Sequence, residues 1–176
     1  NFLSAMGARI HGAGTSVIHV EGIHRLHGAV YRVMPDRMEA GTFVLAGLVT
    51  GGHVVIEDSV SLWLGALTNK MVEAGAEVIA TRDRYEVIAP ERLRGVNIQT
   101  YPYPGFPTDL QAPFATAMTQ ATGTSTIYET MYDGRLEYVY SLSRMGARIE
   151  LQSSRLAVVH GPTPLHAAEL RALDIR

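Results

Sequence analysis

Two hydrophobic periods alternate along this chain of 176 residues. In "SLWLGALTNKMVEAG" from Ser61 and "RLEYVYSLSRMG" from Arg135, apolar residues recur every three or four positions and each run closes on glycine. That pattern predicts amphipathic helices ended by a left-handed C-cap. The runs "HVVIED", "AEVIA", "YEVIAP", "VNIQT" and "STIYET" are short, β-branched and partly alternating, which predicts strands. A further helix of about ten residues is expected after Asp36 and another after Asp109, stopped by "TGG" at Thr50 and "TGT" at Thr122.

The elements repeat. "MGARI" at Met6, "AGAEV" at Ala74 and "MGARI" at Met145 place glycines at Gly7, Gly75 and Gly146, 68 and 71 residues apart. Each is followed by a second apolar run ("VIHVEG", "YEVIAP", "LAVVHG") and then by a leucine with a small residue two places on: Leu26 and Gly28, Leu93 and Gly95, Leu165 and Ala167. An aspartate closes each series: Asp36, Asp109 and Asp174. From each aspartate the order is helix, strand, helix and three strands, so the unit is a β-α-β-α-β-β module of about 70 residues. The fold class is therefore α/β (α+β), mixing parallel crossovers with hairpins.

Leucine and aspartate lie 10 and 9 residues apart in the outer copies but 16 apart in the middle one. The excess coincides with "YPYPGF" at Tyr101. Proline fixes φ and biases its predecessor toward extended geometry, so the insertion reads as a stiff arch that presents Thr108 and Asp109. The chain opens at Asn1 on a helix end and stops at Arg176, two residues past the third aspartate. It is accordingly expected to be a segment of a longer protein, inactive alone, with an exposed apolar face that favours self-association.

Composition narrows the chemistry. With 47% hydrophobic residues the chain can build the core of one domain, or parts of two. No apolar run approaches the roughly 20 residues that span a bilayer, and no basic-then-apolar leader is seen, so the expected location is cytoplasmic. With no cysteine, disulfides, thiolate metal sites and a cysteine nucleophile within the chain are excluded. A formal net charge of −2 gives no footprint for nucleic acid or an acidic membrane, so an anionic ligand would have to be held by specific arginines.

Asp109 has two readings: a helix cap favoured by the dipole, the slot that Asp36 and Asp174 also occupy, or a general base held in place by the arch. Arg135, after "YDG", and Arg176 offer planar donor forks for a carboxylate or phosphate, or are solvated charges. For Asp36 and Arg37 capping and an interdomain salt bridge are expected. His24 and His27 flank a turn with no third ligand in view, so no metal site is assigned. The glycines of "HGAGTSV" join two hairpin strands and do not lead into a helix, which argues against a phosphate cradle.

Four stretches, "PDRMEAGTF", "PYPGFPTDLQA", "ETMYDGRLEYVYSLSRMGARIE" and "ALDIR", resemble in order and interval the UDP-N-acetylglucosamine 1-carboxyvinyltransferases, enolpyruvyl transferases of peptidoglycan synthesis. The resemblance runs along essentially the whole chain. It implies an inside-out α/β barrel of enolpyruvyl-transferase type, with residues 1–34 the closing strands of a first domain and the crossover. Residues 35–176 would form most of a second domain, two repeats plus the start of a third. It further implies that Asp109 contacts the sugar 3-hydroxyl and takes its proton, and that the Met131 backbone carbonyl binds the sugar nucleotide. Arg135 and Arg176 would hold the phosphoenolpyruvate carboxylate, with Asp174 near the reacting carbon. The substrates it implies are UDP-N-acetylglucosamine and phosphoenolpyruvate; no cofactor or metal is implied. The family's mobile loop with its general acid, its lysine–asparagine pair and further phosphate-binding arginines have no counterpart here, and "MYDG" departs from the usual acidic–asparagine pairing before the arginine. A transferase acting on shikimate 3-phosphate and a non-catalytic module binding a sugar nucleotide or a protein are the competing readings.

Overall fold

The computed structural model describes residues 1–58 and 63–171. These fall into two compact units, Asn1–Pro35 and Asp36–Arg176. In the first, a short helix α1 (Phe2–Ala5) leads into the antiparallel hairpin β1 (Arg9–His11) and β2 (His19–Glu21), so "HGAGTSV" is a hairpin connection as its sequence suggests.

The second unit begins with α2 (Arg37–Val49), β3 (His53–Glu57), α3 (Gly65–Glu73), β4 (Glu77–Ala80) and β5 (Arg84–Ile88). It continues through β6 (Ile98–Gln99), a 3₁₀ turn (Thr108–Leu110), α4 (Gln111–Met118), β7 (Gly123–Tyr128), α5 (Tyr138–Arg144), β8 (Arg148–Ser153) and β9 (Leu156–Gly161). From β6 to β9 this is one whole β-α-β-α-β-β module. Strand order is β3-β5-β4 in one sheet, all antiparallel, and β6-β7-β9-β8 in the other, where β6 and β7 run parallel. Both sheets are open, with β3 and β4 as edges of the first and β6 and β8 of the second; the closed barrel implied by the resemblance is not formed among the described residues.

Register follows the period-2 burial of the strands. Val54 faces Val87 and Ile56 faces Tyr85 across β3 and β5, while Ile98, Ala157 and Ile127 line up across β6, β9 and β7. Helix α2 packs on β3 and β5, α4 packs on β7 and β9, and the two helices pack on each other. Phe114, Leu45, Leu48 and Met118 are fully buried there, each worth about 1.5–3 kcal/mol relative to exposure. Helix α4 stops at Met118, earlier than "TGT" suggests, because the next N–H groups turn to carbonyls three residues back, Gln120 to Ala117 and Ala121 to Met118. No described helix is long and apolar enough to cross a membrane.

The sequence repeat has a hydrogen-bond counterpart. Gly7, Gly75 and Gly146 all have positive φ (96°, 103° and 94°), as a left-handed C-cap requires. In each copy the residue after the landmark leucine donates its N–H to the carbonyl just before that glycine: His27 to Met6 (3.0 Å), Arg94 to Ala74 (3.0 Å) and His166 to Met145 (2.9 Å). At Gly7 and Gly146 the ring of His27 or His166 lies where a Cβ would stand, 2.9 Å away. His27, one of the two histidines considered for metal, is thus a packing residue of this bond.

Two glycines separate crowding from propensity. A Cβ on Gly161, at the end of β9, would stand 2.3 Å from the Ala121 carbonyl oxygen and 2.8 Å from that of Met118, backbone atoms that cannot move aside, whereas one on Gly65 meets nothing within 4 Å. Gly161→Ala is expected to lower stability by about 3 kcal/mol, and Gly65→Ala to raise it by about 0.5 kcal/mol, read from denaturant midpoints at constant slope.

Candidate active site

The arch is closed by its own backbone. Tyr101 N–H donates to the Phe106 carbonyl (3.0 Å) and Gly105 N–H to that of Pro102 (2.8 Å); the Tyr103–Pro104 peptide is cis. A Cβ on Gly105 would lie 2.4 Å from that of Tyr101, so the turn needs glycine. Buried Phe106 and Phe114 pack edge to face, 5.3 Å between ring centroids, which pins the arch to α4. The Arg37 guanidinium lies over the Tyr103 ring, 5.3 Å from its centroid, and reaches the Trp63 carbonyl at 3.5 Å.

The equivalent aspartates of the two copies are used differently. Asp36 caps α2, its Oδ1 accepting from the N–H groups of Met38 (2.7 Å) and Glu39 (3.4 Å). Asp109 sits inside the 3₁₀ turn, and its Oδ1 accepts from Arg135 Nη1 at 2.7 Å. The side chains are 29% and 11% exposed, so this charge-assisted bond stands at the rim of the core and not free in solvent. Gly134, with φ 74°, turns the chain into Arg135, whose guanidinium stacks on Tyr132 at 4.8 Å. Asp133 pairs with Arg155 Nε (2.7 Å), and Arg155 also donates to the Thr130 carbonyl (2.9 Å).

Close to this pair lies a carboxylate that no motif or period singles out. Glu129, directly after β7, has no exposed surface. Its Oε2 accepts from Thr108 Oγ1 (2.6 Å) and Gln111 Nε2 (2.6 Å), and its Oε1 from the N–H groups of Met131 (2.7 Å) and Tyr132 (3.0 Å). The turn is tied once more where Thr130 N–H donates to Thr100 Oγ1 (3.0 Å) and the Thr130 hydroxyl to the Thr100 carbonyl. Tyr138 donates to Gln111 Oε1 at 3.5 Å; burial first, then the Glu129 charge, pushes its hydroxyl well above the ordinary range. The only trace of this cluster in sequence is the run of polar residues around the two motifs, Thr108, Gln111, Glu129 and Thr130.

Of the sequence candidates, then, Asp109, Arg135 and the Met131 turn come together, while Asp174 and Arg176 lie outside the described residues. A cavity of about 430 Å³ beyond the C-terminal ends of α2 and α4, lined by Leu48, Pro90, Arg92, Gln120 and Pro162 among others, includes none of them. Among the described residues no cluster of three metal-ligating side chains occurs.

The model of the EPSP synthase (3-phosphoshikimate 1-carboxyvinyltransferase) family matches residues 1–176. The chain belongs to that family. It is 43% identical over 174 residues to UDP-N-acetylglucosamine 1-carboxyvinyltransferase 2 of Bacillus cereus and equally to that of Bacillus anthracis, covering 99% of itself and 40% of each relative. It therefore spans well under half the length of these relatives. Among solved structures, the enolpyruvyl transferase NikO from Streptomyces tendae matches with a TM-score of 0.73 at 22% identity, over 93% of this chain and 39% of that one. EPSP synthase from Acinetobacter baumannii matches with a TM-score of 0.57 at 14% identity, over 92% and 38%. These two likenesses concern the fold.

Burial also raises the Tyr85 hydroxyl above its ordinary value of 10.0, opposed by its hydrogen bond with Thr68 (2.6 Å). A tyrosine kept neutral in the folded state stabilises fully below its unfolded pKa, and that contribution is lost as pH rises beyond it. Stability is expected to fall above pH 10, and in Tyr138→Phe to fall less steeply by about 1.4 kcal/mol per pH unit, measured by urea unfolding across alkaline pH.

Proposed function

We propose that this chain is a segment of an enzyme that transfers the enolpyruvyl group of phosphoenolpyruvate to the 3-hydroxyl of UDP-N-acetylglucosamine, with release of phosphate, a step of peptidoglycan synthesis in the cytoplasm. The observation that carries this reading is the Asp109–Arg135 bond of 2.7 Å at the foot of a stiff arch, in a chain 43% identical to transferases named for that reaction. Family membership alone leaves the acceptor open, and the identity to sugar-nucleotide transferases favours that acceptor over shikimate 3-phosphate.

In this reading Asp109 accepts the proton of the sugar hydroxyl as its oxygen bonds to the central carbon of phosphoenolpyruvate, while the methylene carbon gains a proton. The tetrahedral adduct then loses phosphate, and loss of a proton from the methyl carbon restores the double bond. Arg135 supplies a planar donor fork for the phosphoenolpyruvate carboxylate, an anion that also draws it away from Asp109. The Met131 carbonyl takes the sugar nucleotide, and Asp174 and Arg176 complete the site beside the reacting carbon and the carboxylate. The general acid comes from the longer protein. Residues 1–34 close a first domain, and residues 35–176 form most of a second. The packing of α2 and α4 together with a sheet on each supports an inside-out barrel for that whole domain.

Phosphate release from phosphoenolpyruvate and UDP-N-acetylglucosamine is the test, in a full-length protein carrying this segment, its Asp109→Asn variant and the segment alone. Turnover is expected in the first, a loss of about 10²–10⁴-fold in the second and none in the third. Turnover with shikimate 3-phosphate alone would replace the acceptor, and an Asp109→Asn variant as active as its parent would remove the assigned base.

A further inference from the structure

Four donors converge on Glu129 from two segments far apart in sequence. Thr108 Oγ1 and Gln111 Nε2 come from either side of Asp109, at 2.6 Å each, and the N–H groups of Met131 and Tyr132 come from the turn that leads to Arg135, at 2.7 and 3.0 Å. Each segment has one carboxylate oxygen to itself. We propose that Glu129 is a positioning residue of this site: its carboxylate clamps the foot of the arch to the 129–132 turn and so fixes Asp109 relative to the Met131 carbonyl and Arg135. The inference rests on the reaction assigned above.

The residue type follows from the donor count. Carboxylate is the side chain with two acceptor oxygens and no donor, which is what four inward-pointing donors require. A glutamine would keep the two backbone bonds through its oxygen but turn an amide N–H₂ toward that of Gln111, opening the arch side of the clamp. Burying a charge is unfavourable for stability, and an apolar residue at a site with no exposed surface would pack without that penalty. A buried carboxylate here makes sense as a device that holds geometry. The outer end of the turn is held independently by Asp133–Arg155 and Thr130–Thr100, so losing the clamp releases the arch foot and not the whole turn.

Three variants of the full-length protein separate positioning from bulk stability. Glu129→Gln opens the arch side, Thr108→Val removes a single arm at nearly constant shape, and the double change Glu129→Gln with Gln111→Glu reverses donor and acceptor across the contact while keeping the charge. Thermal melts give the folded fraction at assay temperature. Per folded molecule, kcat for phosphate release is expected to fall about tenfold or more in Glu129→Gln and severalfold in Thr108→Val, with most of it regained in the double variant. Single variants that keep kcat within twofold when folded overturn the proposal, as does a double variant no better than Glu129→Gln; if Glu129→Gln does not fold, Thr108→Val decides. UDP-N-acetylglucosamine affinity by calorimetry is measured in parallel. A wild-type protein that binds the sugar nucleotide without turnover refutes the reaction alone, and the clamp then stands or falls on whether affinity drops about tenfold in the single variants. A wild-type protein with neither turnover nor binding overturns both.

Discussion

A fully buried carboxylate can persist only if every lone pair it brings is met by a donor, because the solvation it gives up in the core is large. Glu129 meets that condition with two side-chain donors and two backbone donors. The consequence is mechanical: the arch foot and the 129–132 turn cannot separate without stranding a charge. Thr108 and Gln111 bracket Asp109, and Met131 and Tyr132 precede Arg135, so the constraint reaches the Asp109–Arg135 pair from both sides.

The repeat shows how such a site arises on a module whose first duty is structural. In all three copies a left-handed glycine and a backbone bond from the residue after the landmark leucine fix the end of the helix. At the aspartate the first two copies diverge. Asp36 meets the N–H groups of its own helix directly, which is ordinary capping. The arch inserted ahead of Asp109 delivers the chain through a 3₁₀ turn, and there the carboxylate faces an arginine from the next crossover. Backbone hydrogen bonds and the Phe106–Phe114 contact hold the insertion in place, so the added length brings reach without the mobility of a plain loop.

Much of this was legible in the chain. Helix and strand periods, glycine stops and the offset of 16 residues in the middle copy point to the module, the arch and Asp109, because each leaves a local or periodic mark. Glu129 leaves none. Its donors come from positions 18 to 21 residues upstream and two and three residues downstream, and a convergence of that kind has no period to detect. The same holds for Asp133 and Arg155, joined only when the hairpin β8–β9 folds back against the turn. Arg37 is a further case: its guanidinium lies over the Tyr103 ring of the arch, a contact that its place beside the capping Asp36 does not announce.

A chain with a net charge of −2 creates no broad positive field to gather anionic substrates. Affinity for an anionic ligand must then come from a few groups already in place, and for such groups the cost of ordering is met during folding and not at binding. That shifts the burden from surface charge to internal geometry. An arginine 11% exposed, stacked on one aromatic ring and bonded to one carboxylate, has few arrangements left to lose when a ligand arrives. Its partner aspartate is fixed through Thr108 and Gln111 to a charge that water does not reach, so the arch, the turn and the buried glutamate act as a single piece of pre-organisation.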